Sequence, residues 1–239
     1  MSETLQWRGD GSAYSPRFQE GYHSRSGALA QASTVFLAGC GLPGRWRGRD
    51  RFTVLETGFG LGLNFLATWA AWEADPQRSE QLHFVSIEAY PVGPQDIVRN
   101  AQACMQKRAD ALPVNVRTFE LAQTLALAWQ NLHGGVQHRW FANGRVQLTL
   151  AVGDVHAMLQ ALDGSADAVY LDGFSPARNP AMWSPETLQQ VAAHCKPGTT
   201  LASYTVAAQV RRSLQQLGFI VEKCPGLPPK RHRLQAQLG

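Results

Sequence analysis

The stretch FTVLETGFGLGLN (residues 52–64) constrains the fold most: an apolar β-rich run passes into three alternating glycines and then into a segment of helical period. A strand that enters a helix through Gly58, Gly60 and Gly62 is the opening unit of an open α/β sheet. In such sheets ligands bind beyond the carboxyl ends of the strands, where the strand order reverses. Glycines there admit positive φ and let the backbone approach a ligand closely. A dinucleotide fingerprint reads GxGxxG, and its third glycine would fall at Leu63, which argues against NAD or FAD.

The rest of the chain repeats the alternation. Strands are predicted at 52–56, 83–88, 145–152, 167–171, 199–204 and 218–224, and helices at 61–74, 91–105, 155–162, 185–194 and 206–217. Asp154 and Ser184 read as N-caps, and Gly218 suits the left-handed position after a helix. Residues 120–132 are apolar at helical spacing, and Asn143-Gly144 marks a hairpin inserted before the third parallel strand. The expected fold is a mostly parallel, doubly wound α/β domain over residues 52–239. Residues 1–51 are expected to be an N-terminal extension packing on that core, with a helix near 29–37. With 239 residues, 44% of them hydrophobic and 17% charged, the chain can bury a core of that size.

Charge is unevenly placed. Residues 1–51 carry +3, residues 52–210 carry −4 and residues 211–239 carry +5, which gives the net +4. Basic ends around an acidic middle suit a phosphate backbone as partner. The four cysteines form no CxxC pair and the histidines no HxH or HExxH, so neither a metal site nor a disulfide framework is expected. The start has no signal-like pattern, and the longest apolar run, residues 63–72, is about half of the roughly 20 residues a bilayer span requires. A cytoplasmic protein without membrane contact is the expectation.

Carboxylates end the predicted strands. Glu56 precedes the glycine turn, where it would repel a pyrophosphate but pair with a cationic amino-acid ligand. Glu88 ends the second strand, where an acid holds ribose hydroxyls, and Asp154 follows the third, within reach of an adenine amino group. A sulfonium nucleoside, S-adenosyl-L-methionine, has all three parts. The fourth strand leads into YLDGFSPARNPAMW, in which Asp172 emerges beside Phe174, Asn179 and Trp183. A carboxylate among aromatic faces suits transfer to an amine: it accepts an N–H hydrogen bond while the rings exclude water and hold a planar substrate.

ETGFGLGLNFL (56–66), FVSIEAYP (84–91), YLDGFSPARNPAMW (170–183) and LASYTVAAQVRRSLQQLGF (201–219) together resemble the methyltransferase domain of the MnmC family of tRNA 5-methylaminomethyl-2-thiouridine biosynthesis proteins. The similarity extends to residues 13–46, and the DGFxPxxNPxMW segment is its most specific part. It implies a Rossmann-like class I methyltransferase acting on the exocyclic amine of 5-aminomethyl-2-thiouridine at the tRNA wobble position. The cofactor role would pass to Glu56, Gly58, Phe59, Gly60, Gly62, Asn64, Glu88 and Asp154, and the catalytic carboxylate to Asp172. Phe174, Trp183 and Tyr204 become candidates to flank the target base, and Lys230 and Arg231 to contact the anticodon region. An anticodon base must be splayed out and stacked to be modified. Two positions depart from the family pattern: Cys40, where Asn is frequent, and the proline-rich CPGLPPKRHRL (224–234). Members also occur joined to a following FAD-dependent oxidase domain, so a stand-alone enzyme and an N-terminal part of a longer protein are both open. The competing readings are a methyltransferase for a small-molecule amine and a non-catalytic RNA-binding module on the same fold.

Overall fold

The structure, a computed structural model, describes residues 2–23, 27–106 and 113–239; residues 24–26, within the segment that carries the resemblance, lie outside it. Three short strands, β1 (Gln6–Trp7), β2 (Ala13–Ser15) and β3 (Glu20–Gly21), form an antiparallel meander. The helix expected near 29–37 is α1 (Ala28–Gln31) continued by a π-helical turn over Ala32–Leu37. There follow β4 (Arg51–Glu56), α2 (Leu63–Ala74), β5 (Gln81–Glu88), α3 (Pro94–Gln106), α4 (Pro113–Ala128), β6 (Gly135–Phe141) and β7 (Val146–Val152). The chain continues through α5 (Val155–Ala161), β8 (Ala166–Tyr170), α6 (Pro185–Ala193), β9 (Cys195–Ser203), α7 (Ala208–Gln216), β10 (Phe219–Pro225) and β11 (His232–Leu238).

The main sheet has the order β10-β11-β9-β8-β4-β5-β7-β6. β4 pairs in parallel with both β5 and β8, and the parallel ladder extends to β7 on one side and β9 on the other. Chain order reverses at β4, so the glycine turn opens at the switch point. β6 pairs antiparallel with β7 through the Asn143-Gly144 turn, where Ala142, Asn143 and Gly144 all take positive φ. The predicted boundaries shift by a few residues. The first helical proline of α3 is Pro94, three residues beyond Pro91, and α4 starts at Pro113, seven residues before its predicted start. Four strands lie outside the expectation: β1, β2 and β3 near the N-terminus, and β11, which inserts antiparallel between β9 and β10 with the proline-rich segment as the turn leading into it.

Helices cover both faces. One face buries Phe36, Trp46, Phe65, Trp72 and Phe84 beneath the N-terminal helical turns, α2, α3 and α4, and the other packs Ile87, Leu159, Leu188, Val191 and Leu214 under α5, α6 and α7. Phe36 from the extension meets the buried Tyr170 of β8 at 5.4 Å between ring centroids. Cys40 is wholly buried, its Sγ 3.5 Å from the Val169 carbonyl oxygen. Among the described residues no two cysteines are joined in a disulfide. Among the described residues no helix is long and apolar enough to cross a membrane.

The meander is tied down beside the carboxyl end of β5. The Glu3 amide donates to the Pro91 carbonyl, Trp7 Nε1 donates to Asp96 on α3, and the buried Glu3 carboxylate accepts from Ser15 Oγ and Arg17 Nε. Phe65 lies at the centre of the first face, against Phe59, Trp69, Phe84 and Phe141, with no exposed surface. Phe65→Ala is therefore expected to cost about 3–5 kcal/mol in urea unfolding, the usual range for a buried ring truncated to a methyl. A loss below about 1 kcal/mol would show that this cluster is not the core of the domain.

Candidate active site

Five parallel strands end on one rim of the sheet, and their carboxyl ends carry or precede Glu56, Glu88, Asp154, Asp172 and Tyr204. Above the β4 and β8 ends lies a cavity of about 380 Å³. That is within the range of small-molecule sites. Nine of the residues expected to bind or react line it: Gly58, Phe59, Gly60 and Asn64 from the glycine turn and α2, Glu88 from β5, Asp172 and Phe174 after β8, Tyr204 after β9, and Lys230 before β11.

The glycine turn lets backbone take the place of side chains. A Cβ on Gly58 would stand 3.2 Å from Gly173 Cα, so the turns after β4 and β8 pack backbone to backbone. Gly60 has φ +53, and a Cβ there would come within 3.3 Å of the Tyr22 ring. Its amide donates to Glu88 Oε2 at 2.8 Å, while Oε1 accepts from the Tyr90 amide at 2.8 Å. Burial pushes the Glu88 pKa up, and those two amides pull it back.

Asp172 faces the cavity with a donor on each oxygen: the Gly173 amide on Oδ1 at 2.9 Å and Asn64 Nδ2 on Oδ2 at 2.8 Å. Burial pushes its pKa up to about 6, against the pull of those donors and of the Lys230 charge. The Lys230 ammonium sits 3.6 Å from the centroid of the Tyr204 ring, and Tyr204 Oη donates to the Gly173 carbonyl at 2.7 Å. Phe174 stacks on Phe18 at 4.4 Å and meets the edge of Tyr22 at 5.0 Å.

Five expected residues stand elsewhere. Glu56 is fully buried below the cavity floor, its oxygens accepting from Asn64 Nδ2 at 2.9 Å and Ser86 Oγ at 2.7 Å, so Asn64 separates it from the cavity. Gly62 is the left-handed N-cap of α2, packed against the Phe59 ring. Asp154 is exposed at the carboxyl end of β7, and its Oδ1 caps α5 by accepting from the His156 and Ala157 amides. Trp183 is core: it is 2% exposed, its Nε1 donates to the Phe174 carbonyl at 2.7 Å, and Tyr204 covers it edge-on. It supports the aromatic wall without lining it. Arg231 is exposed outside the lining.

The sequence reading missed the N-terminal contribution. Phe18, Glu20 and Tyr22 line the cavity, and Glu20 Oε2 accepts from both the amide and the hydroxyl of Ser175, which ties β3 to the loop after Asp172. Arg17 lies over the Tyr90 ring at 3.9 Å, on the same wall. Among the described residues no three His, Cys, Asp or Glu side chains come together as a metal site.

A strand order that reverses at a glycine turn, a ribose-type acid on the neighbouring strand and a cleft between them define a nucleoside-binding α/β enzyme. The residues fit a sulfonium nucleoside: Gly58 and Gly60 leave bare backbone, Glu88 presents a carboxylate to the cavity, and aromatic rings close the far wall. A family model described as S-adenosyl-L-methionine-dependent methyltransferase matches residues 117–239, just over half of the chain. The chain belongs to that family. It is 51% identical over 236 residues to the tRNA 5-methylaminomethyl-2-thiouridine biosynthesis bifunctional protein MnmC of Acidovorax sp. (strain JS42), and 52% identical over 237 residues to the protein so named in Paracidovorax citrulli (strain AAC00-1). Each alignment covers 99% of this chain and 35% of the relative, so the chain spans about a third of the length of these relatives. The crystal structure of MNMC2 from Aquifex aeolicus has the same fold, with a TM-score of 0.73 at 23% identity, over 100% of this chain and 71% of that one.

Glu56 makes the acid cluster visible in stability. Burial, with the Asp172 and Glu88 charges adding to it, raises its pKa from 4.5 to about 8 against the Ser86 and Asn64 hydrogen bonds. The folded state then keeps a proton that the unfolded state releases. The associated stability is whole below about pH 4.5 and is lost as pH rises through about 8. Urea unfolding of wild type should lose more free energy between pH 5 and 8.5 than Glu56→Gln does; parallel losses would place Glu56 in contact with solvent.

Proposed function

We propose that this domain transfers the methyl group of S-adenosyl-L-methionine to the exocyclic amine of 5-aminomethyl-2-thiouridine at the tRNA wobble position, giving 5-methylaminomethyl-2-thiouridine. The observation that carries the reading is Asp172 opening into the cavity beside Phe174, Phe18, Tyr22 and Tyr204, next to the glycine turn. The names of the relatives supply the substrate class.

When bound, the cofactor supplies an electrophilic methyl group on a sulfonium. Glu88 and the backbone of Gly58, Phe59 and Gly60 would hold it; Gly62 and Glu56 would shape that end of the cavity from beneath, and Asp154 would serve from the β7 end. Asp172 accepts an N–H hydrogen bond from the neutral amine, which turns the nitrogen lone pair toward the methyl group. The catalysis asked of it is orientation and stabilisation of the ammonium that would form as the N–C bond is made and the donor's S–CH3 bond breaks, its electron pair staying on sulfur to leave a neutral thioether. One proton would then pass from that ammonium along the N–H hydrogen bond to the Asp172 carboxylate and on to water, restoring a neutral secondary amine. Phe174 and Phe18 offer a stacked wall for an extruded base, Tyr204 the facing ring, and Lys230 and Arg231 positive charge for the anticodon phosphates. In a bifunctional protein built like these relatives an FAD-dependent oxidase domain would generate the amine, and tRNA would be met in the cytoplasm.

Incubation with methyl-labelled S-adenosyl-L-methionine and tRNA carrying or lacking the aminomethyl wobble uridine, followed by nucleoside digestion, tests this. Label is expected in methylaminomethyl-thiouridine and only in the first tRNA, and Asp172→Asn should lower turnover by about 10²-fold or more. Label on neither tRNA, or on a free small amine instead, would overturn the assignment.

A further inference from the structure

Asn64 occupies the second position of α2, and its side-chain nitrogen stands between two carboxyl groups. Nδ2 donates to Glu56 Oε1 at 2.9 Å and to Asp172 Oδ2 at 2.8 Å. A primary amide nitrogen carries two N–H donors, so one nitrogen satisfies both acids and leaves Oδ1 as the acceptor of that side chain. The far ends of the bridge are also anchored. Ser86 Oγ on β5 donates to Glu56 Oε2, and the Gly173 amide donates to Asp172 Oδ1. The Asp172 carboxylate is thus held by one donor from α2 and one from its own loop, and the bridge joins the carboxyl ends of β4 and β8 through α2.

We propose that Asn64 is a positioning residue for methyl transfer: by bridging Glu56 and Asp172 it holds the Asp172 carboxylate ionised and fixed in orientation as acceptor of the substrate N–H. Asn64 then acts on the amine side of the reaction instead of gripping the methyl donor. The proposal rests on the role given to Asp172 above. The groups that face Asp172 are Glu56 from β4, Tyr204 after β9 and Lys230 before β11; Glu88 from β5 acts on Glu56, and Glu20 from β3 acts on Tyr204 and Lys230. Lys230 favours the ionised form of Asp172, and Glu56 leaves it undisturbed while it is itself protonated. Burial keeps Glu56 protonated at neutral pH, which allows a single amide to serve one charged and one neutral acid. Hydrogen bonds to a carboxylate are among the stronger ones and stabilise its charged form.

The test reads Asp172 directly. Carboxyl ¹³C NMR of the cofactor-free protein, with Asp172→Asn to assign the resonance, gives the Asp172 titration midpoint in wild type and in Asn64→Leu. In the variant the midpoint is expected to rise by about one pH unit. The acidic limb of the kcat profile should move with it, and the affinity for S-adenosylhomocysteine should stay within about threefold of wild type. An unmoved midpoint overturns the proposal, and an affinity loss of about tenfold or more with an unmoved acidic limb overturns it and makes Asn64 a cofactor ligand. If Asn64→Leu does not fold, the smaller and equally neutral Asn64→Ala replaces it, so that no new charge acts on Asp172: a raised Asp172 midpoint supports the bridge and an unchanged one sinks it. The titration needs no acceptor, so failure of the tRNA assay would remove the functional reading while the midpoint still judges the bridge.

Discussion

Three neighbouring strands, in the order β8, β4, β5, lead into acidic side chains at one rim: Asp172, Glu56 and Glu88. Carboxylates this close and this removed from water repel one another and lose hydration, so the fold must supply donors at fixed positions. It does so from backbone and short side chains. The Gly60 and Tyr90 amides serve Glu88, the Gly173 amide serves Asp172, Ser86 serves Glu56, and Asn64 serves two of the three. The glycine turn gains a second purpose: Gly58 lets the turns after β4 and β8 pack backbone to backbone, and Gly60 leaves room for the Tyr22 ring while its N–H serves Glu88.

The acids at the rim then divide by environment. Glu88 opens into the cavity with two backbone donors and suits a cofactor hydroxyl pair. Asp172 opens beside aromatic rings and suits an amine. Glu56 is sealed beneath Asn64 and is protonated at neutral pH, which limits the negative charge the floor must hold. The N-terminal segment completes the enclosure. Phe18 and Tyr22 form the wall against Phe174, and Glu20 secures the loop that carries it. Opening that segment would expose Asp172 to water and remove the cause of its raised pKa.

Much of this was legible in the sequence because buried parallel strands read as short apolar runs. FTVLE, HFVSIE and VQLTLAV are such runs, and the strand-to-glycine junction fixed where the site lies. β11 escaped because the run of prolines before it reads as loop, although HRLQAQL itself carries the polar–apolar alternation of a half-buried strand, and its place is set only once β9 and β10 stand on either side of it. Trp183 looked like a substrate ring because it follows Asp172 in a proline-rich loop. The structure sends it inward, since its N–H finds the Phe174 carbonyl and its face finds Tyr204. Phe18, Glu20 and Tyr22 were not seen as site residues because their partners are about 150 residues away and no local motif marks them. The same holds for the Asn64 bridge, whose three members come from β4, α2 and the loop after β8.

The central claim is that one cavity holds the methyl donor at Glu88 and the glycine turn and presents it to Asp172. Calorimetric titration of S-adenosylhomocysteine into wild type and Glu88→Ala tests it most directly. The account predicts saturable one-site binding by wild type and an affinity at least about tenfold weaker in the variant, the loss of a charge-assisted hydrogen-bond acceptor. Equal affinity in the two proteins would contradict it and move the cofactor to another part of the molecule.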